Sequence, residues 1–205
     1  MQQHFSFNGS EKQQLDLPDS QIIYYPGFFD TQTSDLYFDR LRNETDWQQD
    51  DIRVFGKVYA QPRLTALYGE QGKPYTYSGI TMEPSPFTPL LQSIKERVEQ
   101  LCKASFSTVL LNLYRDGQDS NGWHSDDEKE LGNNPVIASV SFGEVRRFRL
   151  KHRQERDLKH NLDLTHGSLL VMSGPTQHHW KHQIPKTTRK VGPRINLTFR
   201  LIRTG

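Results

Sequence analysis

From residue 108 to the C-terminus, apolar and polar residues alternate with a period of two in short bursts separated by Gly, Asn and Pro. The bursts are TVLLNLYR (108–115), VIASVSFG (136–143), RRFRLKHR (146–153), DLTHGSLLVMSG (163–174), HHWKHQIP (178–185) and RINLTFRLI (194–202). A period of two is the mark of strands with distinct faces, and turn residues between them mark short antiparallel connections. Ahead of them the period is helical. TSDLYFDRLRNE (33–44) places Leu36, Tyr37, Arg40 and Leu41 on one side, with Asp30 and Thr31 as candidate caps. Thr88-Pro89 reads as a cap followed by proline at the first helical position, and Leu90, Leu91, Ile94, Val98 and Leu101 form an apolar stripe. Two helices followed by many strands predict an α+β fold with a double-sheet barrel or jelly-roll core.

The chain of 205 residues fits one domain with a real core. Residues 1–20 read as a polar N-terminal arm, and 21–205 as a single domain with its strand-rich core over about 105–205. IRVFGKVYAQPR (52–63) and KPYTYSGI (73–80) read as short aromatic strands, forming hairpins over about 50–80. No apolar run reaches membrane-spanning length, and MQQHFSFNGSEKQQ lacks the basic-then-apolar start of a signal peptide. The single cysteine, Cys102, excludes an intrachain disulfide and suits packing on the apolar side of its helix. These features predict a non-secreted monomer without a membrane partner, cytoplasmic in a bacterium and nuclear in a eukaryote. Charge is uneven: residues 1–50 carry 3 Lys/Arg against 9 Asp/Glu, whereas residues 139–205 carry 14 against 4. A basic C-terminal third suits a phosphate backbone, and equally the solvated faces of exposed strands.

Two groups of residues carry chemistry. In an extended segment His124 and Asp126 project to one side and could grip one metal. A third ligand is available from His178, His179 or His182. Two histidines and one carboxylate form the facial triad of non-haem iron(II) oxygenases, whereas zinc more often takes three tight ligands and a water. On RINLTFR, Arg194, Asn196, Thr198 and Arg200 share one face and Ile195, Leu197 and Phe199 the other. Two guanidiniums on a barrel's inner face require an anionic partner, and arginine grips carboxylates bidentately, so a small dicarboxylate fits. Asn112 and Tyr114 share a face on TVLLNLYR and could add hydrogen bonds to the same ligand.

These motifs, with Asp127-Glu128, ASVSFG (138–143), HGSLL (166–170) and Ile184-Pro185, occur in the order and spacing of the AlkB family across roughly residues 50–203, and the chain resembles that family. The resemblance implies a double-stranded β-helix (jelly-roll) core with N-terminal helices and a lid of β-hairpins. It also implies Fe(II), 2-oxoglutarate and molecular oxygen, and oxidative removal of alkyl groups from bases as formaldehyde, leaving succinate and carbon dioxide. Carried over by position, the metal ligands are His124, Asp126 and His182, the last chosen because it precedes Ile184-Pro185. Asn112, Tyr114, Arg194, Asn196 and Arg200 match the cosubstrate contacts, with Arg194 on the distal carboxylate and Arg200 nearer the chelating end.

The hairpin residues resemble the lid of the duplex-preferring nuclear AlkB homologue, departing from it at Tyr77, where that protein has phenylalanine. Phe55 is then a wedge for the gap left by an extruded base, Tyr77 and Tyr75 its stacking walls, and Lys57 and Arg63 phosphate contacts. Asp127 and Glu128 would favour cationic lesions of the N1-methyladenine or N3-methylcytosine type, with etheno adducts as further candidates. The implied partner is alkylated DNA, double-stranded by preference. Single-stranded DNA and RNA remain the alternatives, as does a non-catalytic nucleic-acid binder that keeps the fold.

Overall fold

The computed structural model describes residues 12–54, 57–70, 75–77 and 80–203. In chain order the elements are β1 (Gln13–Leu15), β2 (Gln21–Tyr25), α1 (Thr31–Glu44), β3 (Asp51–Val54), β4 (Lys57–Ala60), β5 (Leu64–Gly69), β6 (Tyr75–Tyr77), β7 (Ile80–Met82) and α2 (Pro89–Cys102). There follow β8 (Thr108–Tyr114), β9 (Asn121–His124), a 3₁₀ turn (Lys129–Leu131), β10 (Ile137–Gly143), β11 (Arg146–His152), β12 (Lys159–Leu164), β13 (Ser168–Ser173), α3 (Thr176–His179), β14 (Trp180–Ile184) and β15 (Arg194–Arg200).

The strands form a seven-stranded sheet, β1-β2-β13-β10-β15-β8-β5, facing a four-stranded one, β12-β11-β14-β9. Every pairing in the two sheets is antiparallel. This is the α+β jelly roll expected from the alternation. Two further hairpins, β3-β4 and β6-β7, stand apart from both sheets. No helix among the described residues is long and apolar enough to cross a membrane.

The larger sheet is buried on both faces, which explains why β8, β10, β13 and β15 are buried almost end to end. Its outer face, with Leu111, Val140, Leu197 and Phe199, packs on α1 and α2 through Leu41, Leu91, Ile94 and Val98. Its inner face meets the smaller sheet around Leu110, Ile137, Phe148, Leu150 and Trp180. Helices α1 and α2 are each started by a side-chain cap. The Asp30 carboxylate accepts from Thr33 N–H at 2.8 Å, and the Thr88 hydroxyl accepts from Leu91 N–H at 3.2 Å ahead of Pro89. Burial pushes the Cys102 thiol up to about 12, in keeping with packing rather than reactivity.

Three local expectations are corrected. The arm over 1–20 contains an edge strand, β1, because Gln13–Leu15 pair with Tyr24–Ile22 of β2. The segment 163–174 is two strands, since Thr165 to Gly167 turn between β12 and β13. Gly167 has φ +74, and a Cβ there would lie 2.3 Å from the Ser34 hydroxyl, so only glycine fits the turn against α1. HHWKHQIP begins as the short helix α3 and becomes a strand only at Trp180.

Leu111 is fully buried in the helix-facing core, on the opposite side of β8 from Asn112. Replacing it with alanine is expected to cost about 2–5 kcal/mol in a denaturant titration. A loss under about 1 kcal/mol would mean this layer does not carry the fold.

Candidate active site

Antiparallel pairing of β14 with β9 sets His182 directly across from His124. Their rings are 4.2 Å apart between centroids. Asp126, two residues past His124 and 1% exposed, reaches the same point, with one oxygen 3.5 Å from His182 Nε2. One donor atom from each of the three lies within 4.8 Å of the others, as a single ion requires. His124 Nδ1 is 2.8 Å from the Gly122 carbonyl oxygen, so Nδ1 carries the proton and Nε2 is left with the lone pair a metal needs. The His182 ring stacks on Phe148 at 5.1 Å, which fixes its plane.

Electrostatics favour the ligating forms. Burial, with His124 beside it, pushes His182 down to about 3, and burial likewise lowers His124, so both imidazoles are neutral at pH 7. Burial alone would raise Asp126, but Arg200, His182 and His124 outweigh it and hold the carboxyl well below the usual range. Arg200 donates to one Asp126 oxygen from Nε at 3.2 Å and from Nη2 at 2.5 Å.

The flanks of Asp126 are clamped. Its N–H donates to the Gln177 side-chain oxygen at 2.9 Å. Arg153 Nη2 donates to both the Ser125 hydroxyl, at 2.7 Å, and the Asp127 carboxylate, while the Ser125 hydroxyl donates to the Trp180 carbonyl. Asp127, expected to face a lesion, is thus engaged by Arg153. Glu128 is half buried and stands just ahead of the 3₁₀ turn. Gln177 and Arg153 left no trace in the sequence pattern, because α3 and the end of β11 bring them in from a distance.

Beside the triad, β15 and β8 run in register, pairing Arg194 with Tyr114 and Asn196 with Asn112. All four, with Arg200, line the cavity that holds the triad. Arg194 is 1% exposed; its Nη2 donates to the Ser141 hydroxyl at 2.9 Å, and the guanidinium stands 5.2 Å over the Tyr114 ring. Its Nε and Nη1 have no hydrogen-bond partner among the described residues, and burial pushes the guanidinium down to about 10. Unmet buried donors are costly, and a carboxylate from a small molecule would satisfy one of them: Nε and Nη1 lie on different edges of the guanidinium, and each forks a carboxylate only together with Nη2. Asn196 is held by Ser139 and the Val140 carbonyl, and Thr198 donates to it. The alternation Ser139-x-Ser141 in ASVSFG carried that information, while the faces read from the sequence were those of Arg194–Arg200 and of Asn112 with Tyr114.

Arg63 is a correction. Expected to meet phosphate, it is 3% exposed and turned inward, donating to the Asn112 side-chain oxygen at 2.7 Å and to the Ser120 carbonyl. Gln61 and Pro62 lead it to the start of β5, the edge strand of the larger sheet, rather than onto the hairpin. Phe55 lies outside the described residues, as do the side chains of Lys57, Tyr75 and Tyr77. The other two candidate histidines lie elsewhere: His178 is exposed on α3, and His179 stacks on His152 at 5.8 Å. A second cluster, Asp19, His152 and His179, is unsuited to a metal. His152 Nδ1 accepts from two backbone N–H groups, so the neutral ring carries its proton on Nε2, facing Asp19.

The sequence model of the family described as "2OG-Fe(II) oxygenase superfamily" matches residues 21–200. The alpha-ketoglutarate-dependent dioxygenase alkB homolog 3 of Mus musculus is 43% identical over 192 residues, covering 89% of this chain and 66% of that protein. The chain thus spans just under two thirds of that relative. The DNA oxidative demethylase ALKBH2 of Homo sapiens is 40% identical over 188 residues, covering 87% of this chain and 72% of that one. In three dimensions the chain resembles the solved structure of OsALKBH1, with a TM-score of 0.68 at 16% identity, covering 92% of this chain and all of that one. A Pseudomonas putida prolyl-4-hydroxylase shares the fold at a TM-score of 0.58 and 14% identity, covering 90% and 93%.

The geometry predicts that His182→Ala abolishes tight Mn(II) binding in a metal titration, while His178→Ala binds as the unaltered chain does. The reverse pattern would move the third ligand to α3.

Proposed function

This chain belongs to the 2OG-Fe(II) oxygenase superfamily, among its AlkB-type members, and from that and the site we infer that it repairs DNA by oxidative removal of alkyl groups from damaged bases. The observation that carries this reading is Arg194: a deeply buried guanidinium with two unmet donors, in the same cavity as a His-Asp-His ligand set. A protein that only bound nucleic acid would carry the cost of that burial for nothing.

His124, Asp126 and His182 would hold one face of Fe(II) and leave the other positions open. When bound, iron and 2-oxoglutarate supply the oxidation: oxygen and the cosubstrate yield succinate and carbon dioxide, and the hydroxylated alkyl carbon leaves the base nitrogen as formaldehyde. The protein's part is positional. Arg194 would take the distal carboxylate along one edge of its guanidinium, while its Nη2 hydrogen bond to Ser141 keeps the plane of the group in place. Arg200 holds Asp126 anionic and in one rotamer. Asn112, held by Arg63, and Asn196, held by Ser139, set the polar wall of the cosubstrate pocket. The apolar floor of Leu110, Phe148 and Ile184 keeps the cavity poor in water.

The substrate follows from kinship: related chains carry the name DNA oxidative demethylase. We take N1-methyladenine and N3-methylcytosine as the lesion type, and duplex DNA as the preferred form, with Phe55 as wedge, Tyr75 and Tyr77 as walls and Lys57 on phosphate. The chain acts as a monomer in this scheme. Mass spectrometry on oligonucleotides bearing each lesion, single- and double-stranded, is expected to show loss of the alkyl group in both and faster loss in the duplex. Phe55→Ala should erase the duplex advantage and leave single-strand turnover. Failure on every DNA lesion with turnover of methylated RNA would reassign the substrate.

Arg194→Lys keeps the charge but loses the planar fork. Charge-assisted hydrogen bonds contribute about 1.5–3 kcal/mol each, so losing one should weaken 2-oxoglutarate binding by about 10- to 100-fold in a calorimetric titration. Unchanged affinity would remove Arg194 from the cosubstrate site.

A further inference from the structure

The face of the four-stranded sheet turned away from the metal ligands carries an aligned set of charges. β11 pairs with β14 so that Lys151 lies opposite Lys181, and with β12 so that Lys151 lies opposite Lys159. Three ammonium side chains therefore stand in one row across three neighbouring strands, about 4.8 Å apart at the backbone. Like charges directly opposite on adjacent strands destabilise a sheet. The nearby acids do not relieve the row: Asp163 is paired with Arg147 and Asp127 with Arg153, and none of the three lysines forms an ion pair among the described residues. Arg153 and Arg156 extend the row, and together these five cations line one open concavity. At its edge Trp123, 38% exposed on β9, lies under the Lys151 ammonium at 4.4 Å from the ring centroid.

A row of three lysines without ion pairs among the described residues, beside an exposed aromatic ring, is the combination that grips single-stranded nucleic acid: cations neutralise successive phosphates, and the ring takes a base face. A polyanion would also turn the repulsion within the row into attraction. Trp123 and His124 are consecutive residues on β9, at the edge of the sheet, and their side chains point to opposite faces. A strand lying across the row is thus one sheet edge away from the metal cavity. We propose that Lys159, Lys151, Lys181 and Trp123 form a path for the sugar–phosphate backbone of a nucleic-acid strand outside the catalytic cavity; the proposal rests on the nucleic-acid reading of the function.

The experiment is strand binding rather than turnover. Anisotropy of a fluorescein-labelled 15-nucleotide single strand is followed against the full chain over a range of KCl concentrations. Each lysine that neutralises a phosphate contributes about 0.7 to the slope of log affinity against log salt for a single strand. The triple variant Lys151→Gln, Lys159→Gln, Lys181→Gln should therefore lose about 2 from that slope. Lys103→Asn, at the end of α2, should lose none. Trp123→Ala should weaken binding with the slope unchanged, because stacking releases no counterions. Lys151→Gln alone should melt no lower than the unaltered chain, since it removes two like-charge pairs; that also guards against misfolding as the cause. An unchanged slope in the triple variant would overturn the path, as would an equal loss from Lys103→Asn. Loss of binding to phosphatidylserine vesicles in the same variants, with strand binding intact, would assign the row to a lipid surface instead. Turnover of a methylated trinucleotide by the unaltered chain tests the proposed function separately, so either idea can fail without the other.

Discussion

Asp126 and Arg200 lie between two sheets at 1% and 3% exposure, and the guanidinium against the carboxylate is the largest of the interactions that keep Asp126 charged at that depth. Much of the surrounding structure answers to that pair. Asp126 must be anionic to hold a metal, and the histidines must be neutral. The same burial that would neutralise the carboxylate also drives His182 and His124 to their uncharged forms. Arg200 reverses the effect for the acid alone. Arg194, at the start of β15, has no acid partner among the described residues, and its unmet donors mark where an external carboxylate belongs.

The features that could be read in the sequence were those with a period. The alternation in RINLTFR gave a polar face and an apolar face, and the two faces enter two different cores. The stripe Leu90-Leu91-Ile94-Val98 and the Thr88-Pro89 start gave α2, because helix caps are local chemistry. Features fixed by tertiary position were not readable. β9 is four residues long and half exposed, too short to show alternation. Arg63 looks like a surface cation, yet Asn112 and the Ser120 carbonyl draw it inward. The choice among His178, His179 and His182 turned on where α3 gives way to β14, a boundary that pairing with β11 and β9 decides. The family resemblance supplied His182 where periodicity alone left three choices.

The larger sheet separates two tasks. Its outer face is cemented to the helices by aliphatic and aromatic side chains, and its inner face presents serines, asparagines and arginines to the cavity. Neighbouring residues on one strand, such as Leu111 and Asn112, therefore serve stability and ligand binding respectively. Substitutions in the cavity can alter chemistry while the helix-backed layer keeps the domain folded.

β9 is the outermost strand of its sheet, bonded to β14 on one side only, and it carries His124. An ion held by His124 and His182 would act as a cross-strand staple, fastening that edge in a way that backbone pairing alone does not. Any ligand bound only by the native state stabilises it in proportion to the logarithm of its concentration. The protein's resistance to unfolding at this edge would then follow the iron supply of the cell, and iron scarcity would be felt first as a loosening of structure rather than as a slowing of catalysis.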